Sequence, residues 1–234
     1  MPPPERAPAG FWLRYAAWSL DAACLLPLVL LLGWPILGAA AEQAEAALRA
    51  VVAGMTQQLD SFVAAGQSPL AMALALLSDP RMTSAVGQLS SALTTLLLAP
   101  PLLYALLACL WSLAFESSRW QATPGKRAFG LIVADVDGNR LALPRVLTRF
   151  AAAGLSWLTL NLGHAMALLA PHLALHDRLS GTRVLADSAR RVLPTWGRGW
   201  LLLQAIAGVL SVAWLFLALR DWTQTVLAQA LGAA

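Results

Sequence analysis

The feature that most constrains the fold is an apolar run of 31 residues, 11–41, whose only charged side chains are Arg14 and Asp21. About 20 helical residues cross the roughly 30 Å hydrocarbon core of a bilayer, so the run predicts a membrane-spanning helix. Asp21 follows Arg14 by two turns and lies roughly 10 Å deeper. A carboxylate there costs about 2.5–3.5 kcal/mol on the mildest insertion scale. The sequence therefore predicts a cation, a hydrogen-bond donor or a proton beside Asp21.

Composition indicates that the chain as a whole is an integral membrane protein. Of its 234 residues, 59% are hydrophobic and 12% are charged, whereas soluble domains carry about 25% charged residues. The length allows one membrane domain of several helices. Cys24 and Cys109 lie in apolar runs and are expected to be free thiols. The first run is longer than the apolar part of a signal peptide, so we expect it to remain attached.

The distribution of charge predicts the topology. Residues 42–81 carry a net charge of −2, whereas residues 116–149 and 172–198 each carry +3. By the positive-inside rule, the two basic segments lie in the cytoplasm and 42–81 lies outside. The basic segments lack the interleaved aromatic residues of a soluble nucleic-acid-binding domain, so no nucleic-acid partner is expected.

Helices are predicted on both sides of the basic segments. Residues 42–91 form an extracytoplasmic helical insertion, in which apolar residues recur at three- and four-residue steps and a second short helix starts at Pro69. Residues 93–115 form the second crossing, bent at two consecutive prolines. Residues 188–234 form a C-terminal transmembrane helix and tail, with the crossing itself at 199–219.

A small cytoplasmic β-layer is predicted between these crossings. Residues 131–141 contain β-branched residues and the tight-turn pair Asp137-Gly138, which predicts a β-hairpin. Residues 182–185 predict a third strand that pairs with 131–134. This pairing requires both segments to lie on one face of the membrane.

Residues 150–171 admit two interpretations. Their 22 residues suffice for one crossing, but that would place the basic segment 172–198 outside. A re-entrant segment that turns near Asn161–His164 keeps this segment inside, and we favour it. Non-helical backbone at such a depth is tolerated only within protein or beside water.

Three motifs occur in order along the chain: Phe11-Trp-Leu-Arg14 followed by Asp21, Thr123-Pro-Gly-Lys-Arg127, and Leu175-His-Asp-Arg-Leu-Ser-Gly-Thr182. Together they closely resemble the RDD family of bacterial membrane proteins, over residues 11–40 and 92–187. The resemblance implies that Arg14, Asp21 and Asp177 are the arginine and two aspartates for which the family is named. It also implies an RDD-like core over 92–187, to which residues 42–90 and the last helix look like additions. Transport, with ion exchange in some members, is the suspected activity.

The polar side chains predict one polar network or ion-binding site. Arg14, Asp21 and Asp177 either fix the packing of the first helix on the cytoplasmic layer or hold a cation or proton. The other candidate members are Lys126, Arg127, Arg149, His176 and Arg178, with Asn161 and His164 on the facing wall of the re-entrant segment.

No catalytic site, cofactor or metal is predicted. His172 and His176 are four residues apart and would share a helix face with Asp177 nearby, but the sequence has no HExxH motif, so a zinc site is not expected. Pro124-Gly-Lys-Arg127 lacks the spacing of a phosphate-binding loop. Its two cations are expected to meet anionic lipid headgroups or Asp177.

The sequence thus predicts an all-α polytopic protein with about three full transmembrane helices, a re-entrant segment and a small cytoplasmic β-layer. We expect it in the bacterial inner (plasma) membrane, with residues 1–10 as a disordered cytoplasmic tail. The expected function is a transport-related or ion- or proton-linked module. The alternative is a non-catalytic scaffold subunit of a larger membrane complex. The expected partners are the bilayer, its anionic headgroups, and either further copies of the chain or other membrane proteins.

Overall fold

Helices dominate the computed structural model, which describes residues 6–66, 68–187 and 192–230. Three helices are long and apolar enough to cross a membrane: Phe11–Ala65 (α1), Pro80–Glu116 (α3) and Thr195–Ala230 (α8). The polytopic α-helical fold is therefore confirmed, and a small three-stranded sheet accompanies it. Two compact units can be described, one of residues 22–111 and one that contains the sheet.

Helix α1 continues well beyond the predicted boundary at residue 41. It has 55 residues, which corresponds to about 80 Å of helix and more than twice the thickness of the hydrocarbon core. The predicted amphipathic helix of the insertion is thus its continuation. Alanine is the strongest helix former, and residues 39–53 are rich in it. The helix ends before Gly66, which takes a left-handed φ of 60°.

The unit of residues 22–111 is helical. The short helix predicted at Pro69 is present as Pro69–Ser78 (α2), and the side chain of Ser68 caps its first turn. In this unit α1 and α3 are in contact, because a Cβ atom at Gly33 would lie 3.5 Å from Leu103 and one at Gly54 would lie 3.0 Å from the end of the Met82 side chain. Helix α3 begins at Pro80, so the predicted second crossing forms only its C-terminal part.

The sheet has three antiparallel strands: Arg6–Pro8 (β1), Leu131–Asp135 (β2) and Thr182–Asp187 (β3). Their order is β1-β3-β2, with β3 in the centre. Val133 lies opposite Val184, and Ala7 lies opposite Ala186. The predicted pairing of 182–185 with 131–134 is therefore confirmed.

The predicted β-hairpin is wrong. After β2, the Asp135 carboxylate accepts hydrogen bonds from the backbone N–H groups of Asp137 (3.0 Å) and Asn139 (2.8 Å). These bonds satisfy the turn without a second strand, and the chain enters helix Leu143–Leu158 (α5). The third strand is β1, whose residues were expected to lie in a disordered tail.

Residues 150–171 do not form one continuous helix. Helix α5 ends at Leu158, Leu160 and Asn161 adopt left-handed φ values of 51° and 65°, and short helices follow at Leu162–Ala165 (α6) and Leu175–Ser180 (α7). Arg149, before this segment, forms an ion pair with Asp177, after it. A full crossing would separate these two residues by about 30 Å. The segment therefore returns to the side on which it starts, and we call residues 150–171 the returning segment.

The main hydrophobic core joins the start of α1 to the sheet and α5. Leu13, Ala16 and Ala17 pack in one buried cluster with side chains from the sheet and α5, among them Val133 and Val146. Apolar burial of this kind is the dominant stabilising contribution to folding. It fixes the face of α1 that carries Arg14 against the other elements of this unit.

Candidate functional site

Asp177 lies at the centre of a buried ion cluster. Its side chain is in the first turn of α7 and only 1% of the residue is exposed. One carboxylate oxygen binds the guanidinium of Arg14 and the other binds that of Arg149. The backbone N–H of Ala174 also donates to this carboxylate, at 3.0 Å. Two cations and one backbone donor thus compensate a charge that would be costly to bury alone.

Arg14 connects the start of α1 to two other segments. Its Nε donates to the carbonyl oxygen of Ala9 (2.9 Å), and one Nη donates to that of His172 (2.8 Å). The planar guanidinium offers five donors in a fixed arrangement, which suits such multiple contacts. Arg14 therefore holds together the start of α1, the residue that follows the returning segment, and α7.

A second acid, Glu116, extends the cluster. Lys126 Nζ lies 2.8 Å from one oxygen of Glu116, and Arg149 Nε lies 3.7 Å from the other. Arg149 also donates to the hydroxyl of Thr182 at 2.6 Å. We call Arg14, Asp177, Arg149, Glu116 and Lys126 the ion chain. Glu116 and Thr182 were not predicted, although Glu116 is the first charged residue after the uncharged stretch 82–115.

Burial and the charges of the ion chain together fix the protonation states of Asp177 and His176. Burial raises the pKa of Asp177, but the charges of Arg149 and Arg14 outweigh it and hold the pKa below its usual range. Burial, followed by the charge of Arg149, lowers the pKa of His176 to about 2. At neutral pH, Asp177 is therefore ionised and His176 is uncharged. Neither group is suited to carry a proton near neutral pH.

Asp21 binds a different element. Its carboxylate is buried and accepts hydrogen bonds from the hydroxyl of Thr123 (2.5 Å) and the backbone N–H of Gly125 (2.8 Å). Thr123 caps the short helix Pro124–Ala128 (α4), and Gly125 lies in that helix's first turn. A Cβ atom at Gly125 would collide with the carbonyl oxygen of Ala17 and lie 2.8 Å from the Asp21 carboxylate. Glycine therefore allows α4 to approach α1, and this contact positions Asp21.

The remaining predicted residues are dispersed. The guanidinium of Arg127 lies 4.4 Å from the ring centre of Trp120, and Lys126 pairs with Glu116 rather than with Asp177. Arg178 and Asn161 are exposed. The ring of His164 lies 5.1 Å from that of His176. The structure thus brings together Arg14, Asp177, Arg149, Lys126 and His176.

The histidine pair weighed for zinc is not assembled. The Nδ1 atom of His172 lies 3.0 Å from the carbonyl oxygen of Ala167, and the ring of His176 packs near that of His164. Within the described ranges, no group of three or more His, Cys, Asp or Glu side chains is placed to hold a metal ion.

Helix α8 is joined to α1 by side-chain hydrogen bonds. The hydroxyl of Ser19 accepts hydrogen bonds from Trp200 Nε1 (3.1 Å) and Gln204 Nε2 (2.9 Å). The ring of Trp196 stacks on Phe129 at 4.3 Å. The last helix, which looked like an addition in the sequence, is thus integrated with the unit that contains the ion chain.

These features define a polytopic α-helical membrane protein with a buried ion chain at the start of its first spanning helix. The chain belongs to the RDD family, whose sequence model matches residues 8–181. It is also similar to the uncharacterized protein YxaI of Bacillus subtilis (strain 168), with 23% identity over 178 residues, 76% of this chain and 97% of the relative. No solved structure matches the chain.

Proposed function

We propose that this RDD-family protein is a transport-related membrane module in which Asp21 takes part in moving a small cation or proton. The observation that carries the proposal is a buried carboxylate inside the apolar run of a spanning helix. Ionisable groups in such positions are costly, and they commonly mark ion pathways and proton relays.

The two family aspartates differ in their suitability for this role. Asp177 binds two arginines and remains ionised, so it supports the structure around it. Asp21 accepts hydrogen bonds from the hydroxyl of Thr123, which caps α4, and from the backbone N–H of Gly125 in the first turn of α4. Contacts with a short five-residue helix can be exchanged for a bound ion at a lower cost than contacts within the ion chain. Asp21 is therefore the better candidate for the exchangeable site.

A pathway across the membrane is proposed to form between copies of the chain. In the described part of the chain, the most apolar stretches of α3 and α8 contain no buried residues. These faces are available to lipid or to other subunits. Packing of further copies against them would supply the enclosing wall that a transport path requires.

The test is ion flux in vesicles that contain the purified protein. We expect the unaltered protein to move Na⁺ or H⁺ down an imposed gradient, and Asp21→Asn to reduce the rate at least tenfold. Asparagine keeps one oxygen acceptor for Thr123 or Gly125 but removes the charge. Asp135→Asn, at the end of β2, is the matched control and should retain the full rate. The absence of flux with Na⁺, K⁺ and H⁺ gradients would reject the proposal.

A scaffold subunit is the second candidate, and the same uncovered faces of α3 and α8 favour it. Co-purification from native membranes in mild detergent separates the two functions. A different protein recovered at a fixed ratio, together with an absence of ion flux, would support the scaffold. A homo-oligomer that conducts ions would support the transport module.

We further propose that the protein lies in a bacterial inner membrane with its N-terminus and sheet in the cytoplasm. Acids of the sheet-containing unit, such as Glu116 and Asp177, are buried, whereas most of its arginines are exposed. The outward charge of this unit is consequently positive, as expected for a cytoplasmic face. Arg127, stacked on the exposed Trp120, is the best-placed contact for an anionic headgroup.

A further inference from the structure

The turn of the returning segment, away from the ion chain in sequence, carries several exposed apolar side chains. We call five leucines, each more than half exposed, the leucine tip: Leu158, Leu160, Leu162, Leu168 and Leu169. Leu158 and Leu160 are the extreme cases, at 82% and 88% exposed. Five exposed leucines within residues 158–169 are more than the single scattered apolar residues that are normal on a protein surface, and such a group indicates a contact with a membrane or a partner.

The backbone N–H groups at the leucine tip are hydrogen-bonded within the segment, which suits an apolar environment. Irregular backbone is excluded from hydrocarbon mainly because its polar groups lack partners. Here the backbone N–H groups of residues 159–162 all donate to carbonyl oxygens of the same segment, at 2.7–3.2 Å. The hydroxyl of Thr159 likewise donates to the carbonyl oxygen of Leu155, at 3.1 Å. The turn therefore exposes mainly apolar side chains while its donors are satisfied internally.

The base of the returning segment is fixed beside the start of the first spanning helix. Arg14, the fourth residue of α1, binds Asp177 and the carbonyl oxygen of His172, and Arg149 binds Asp177 from the other end. The stretch from Arg149 to Leu158 spans about 14 Å of helix. The leucine tip thus begins roughly that distance from Arg149, which is linked through Asp177 to Arg14 at the start of the first spanning helix.

We propose that the leucine tip inserts into the hydrocarbon of the leaflet on the sheet side, so that the returning segment contacts protein at its base and lipid at its end. This differs from the expected polar wall of Asn161 and His164. Asn161 is exposed at the turn, and His164 packs near His176. The occupant is the acyl layer, because Arg14 joins the base of the segment to the start of a spanning helix. The tip leucines are also at least as exposed as apolar residues of the spanning helices, such as Leu31 at 71%.

A depth measurement tests this contact in the full-length chain. Cys24 and Cys109 are free and are replaced by Ala, and Leu160→Cys then carries an environment-sensitive NBD label. The protein is placed in vesicles of phosphatidylglycerol and phosphatidylcholine. We expect strong quenching by lipids brominated in their acyl chains and weak quenching by iodide present on both sides. Val136→Cys, in the turn after β2 and 53% exposed, should show the reverse.

Leu158→Cys repeats the measurement at the last residue of α5. The result then does not depend only on Leu160, where the left-handed φ could make a substitution disturb the turn. Gel filtration confirms that each labelled protein is monodisperse. Iodide quenching equal to that at Val136 would show a water-filled position and overturn the inference. Shielding from both quenchers would show a protein contact and also overturn it. Ion flux is not part of the readout, so this result is independent of the proposed transport.

Discussion

Three polar residues in the first three turns of α1 each bind a different part of the chain. Arg14 binds α7 and the residue that follows the returning segment, Ser19 binds α8, and Asp21 binds the first turn of α4 and its cap. Arg14 and Asp21 are seven residues, or two turns, apart and lie on nearly the same face, whereas Ser19 lies on a different face. A small rotation of α1 would therefore disturb all three contacts at once.

Gly125 is predicted to be essential for the contact between α4 and α1. In Gly125→Ala, the added methyl group would meet the backbone of Ala17 and the Asp21 carboxylate, and neither can move without disturbing α1. We expect a loss of several kcal/mol of stability, in the upper range for overpacking and buried-network changes. The measurement is the yield of monodisperse protein after extraction in detergent, followed by its thermal unfolding.

Gly154→Ala is the control for that substitution. Gly154 lies in α5, and an added Cβ would meet no atom within 4 Å. Alanine is favoured over glycine in helices by about 1 kcal/mol, so this variant should be as stable as the parent or slightly more so. Equal stability of the two alanine variants would contradict the close approach at Gly125.

His176 is predicted to make the stability depend on pH. Its folded pKa is lowered by burial, then by Arg149, opposed by Asp177, and lowered further by His164 and Arg14. The unfolded chain therefore binds a proton near pH 6.5 that the folded protein does not. The contribution of His176 to the free energy of unfolding is complete above about pH 6.5. It falls by about 1.4 kcal/mol for each pH unit below that value. Between pH 6.5 and 5 we expect a loss of about 2 kcal/mol.

Thermal unfolding in detergent from pH 8 to 5 measures this effect. His176→Gln has no imidazole, so its unfolding temperature should fall less over this range than that of the parent. Asp177 does not produce the loss, because its lowered pKa confines its contribution to more acidic conditions. Parallel pH profiles for the parent and His176→Gln would contradict the uncharged, buried state of His176.

At the scale of elements, the hydrogen bonds to Ser19 are predicted to hold α8 against α1. Ser19→Ala removes the acceptor for Trp200 and Gln204. Hydrogen bonds between membrane helices contribute about 0.6 kcal/mol on average, so we expect a loss of about 1 kcal/mol. Unfolding in mixed micelles with increasing dodecyl sulfate measures the change.

Thr94→Ala provides the comparison for Ser19→Ala. The hydroxyl of Thr94 donates to a carbonyl oxygen of its own helix, that of Ser90, at 2.7 Å. Its removal should change the stability much less than the loss of a contact between helices. A similar loss in both variants would indicate that the bonds to Ser19 do not hold α8.

The elements that the sequence predicted correctly depend on local information. Apolar length located the spanning helices, Pro69 located α2, and the charge count favoured the returning course of residues 150–171. The hairpin failed because the turn at Asp137-Gly138 is satisfied by the Asp135 carboxylate. The third strand lies more than 170 residues from its partner, and no local pattern could indicate that pairing.

The polar centre was predictable in composition but not in connectivity. The motifs identified Arg14, Asp21 and Asp177, yet their spacing suggested one network, whereas Arg14 and Asp21 bind different elements. Glu116 was overlooked because a lone acid at a helix end resembles a solvated residue. Its burial becomes evident only when α3, α4 and α5 meet and place Lys126 and Arg149 beside it.

For the molecule as a whole, the charge distribution predicts opposite locations for two equally exposed valines. Val63, late in α1, and Val192, before α8, are each 71% exposed. In a background with Cys24 and Cys109 replaced by Ala, we expect Val63→Cys to react with an impermeant maleimide in spheroplasts. Val192→Cys should react only after the membrane is permeabilised. The opposite pattern would invert the proposed topology.

The separation of Arg14 from Asp177 by 163 residues along the chain also has a consequence for biosynthesis. At about 5–20 residues per second, the ribosome needs roughly 8–33 s to reach Asp177 after it has made Arg14. Asp21 likewise precedes Thr123 by 102 residues. The first helix therefore reaches the translocation machinery before these partners exist, and its two charges need water, headgroups or an insertase in the interval. The contacts of this helix are therefore completed late, after insertion, once α8 with Trp200 and Gln204 has been made.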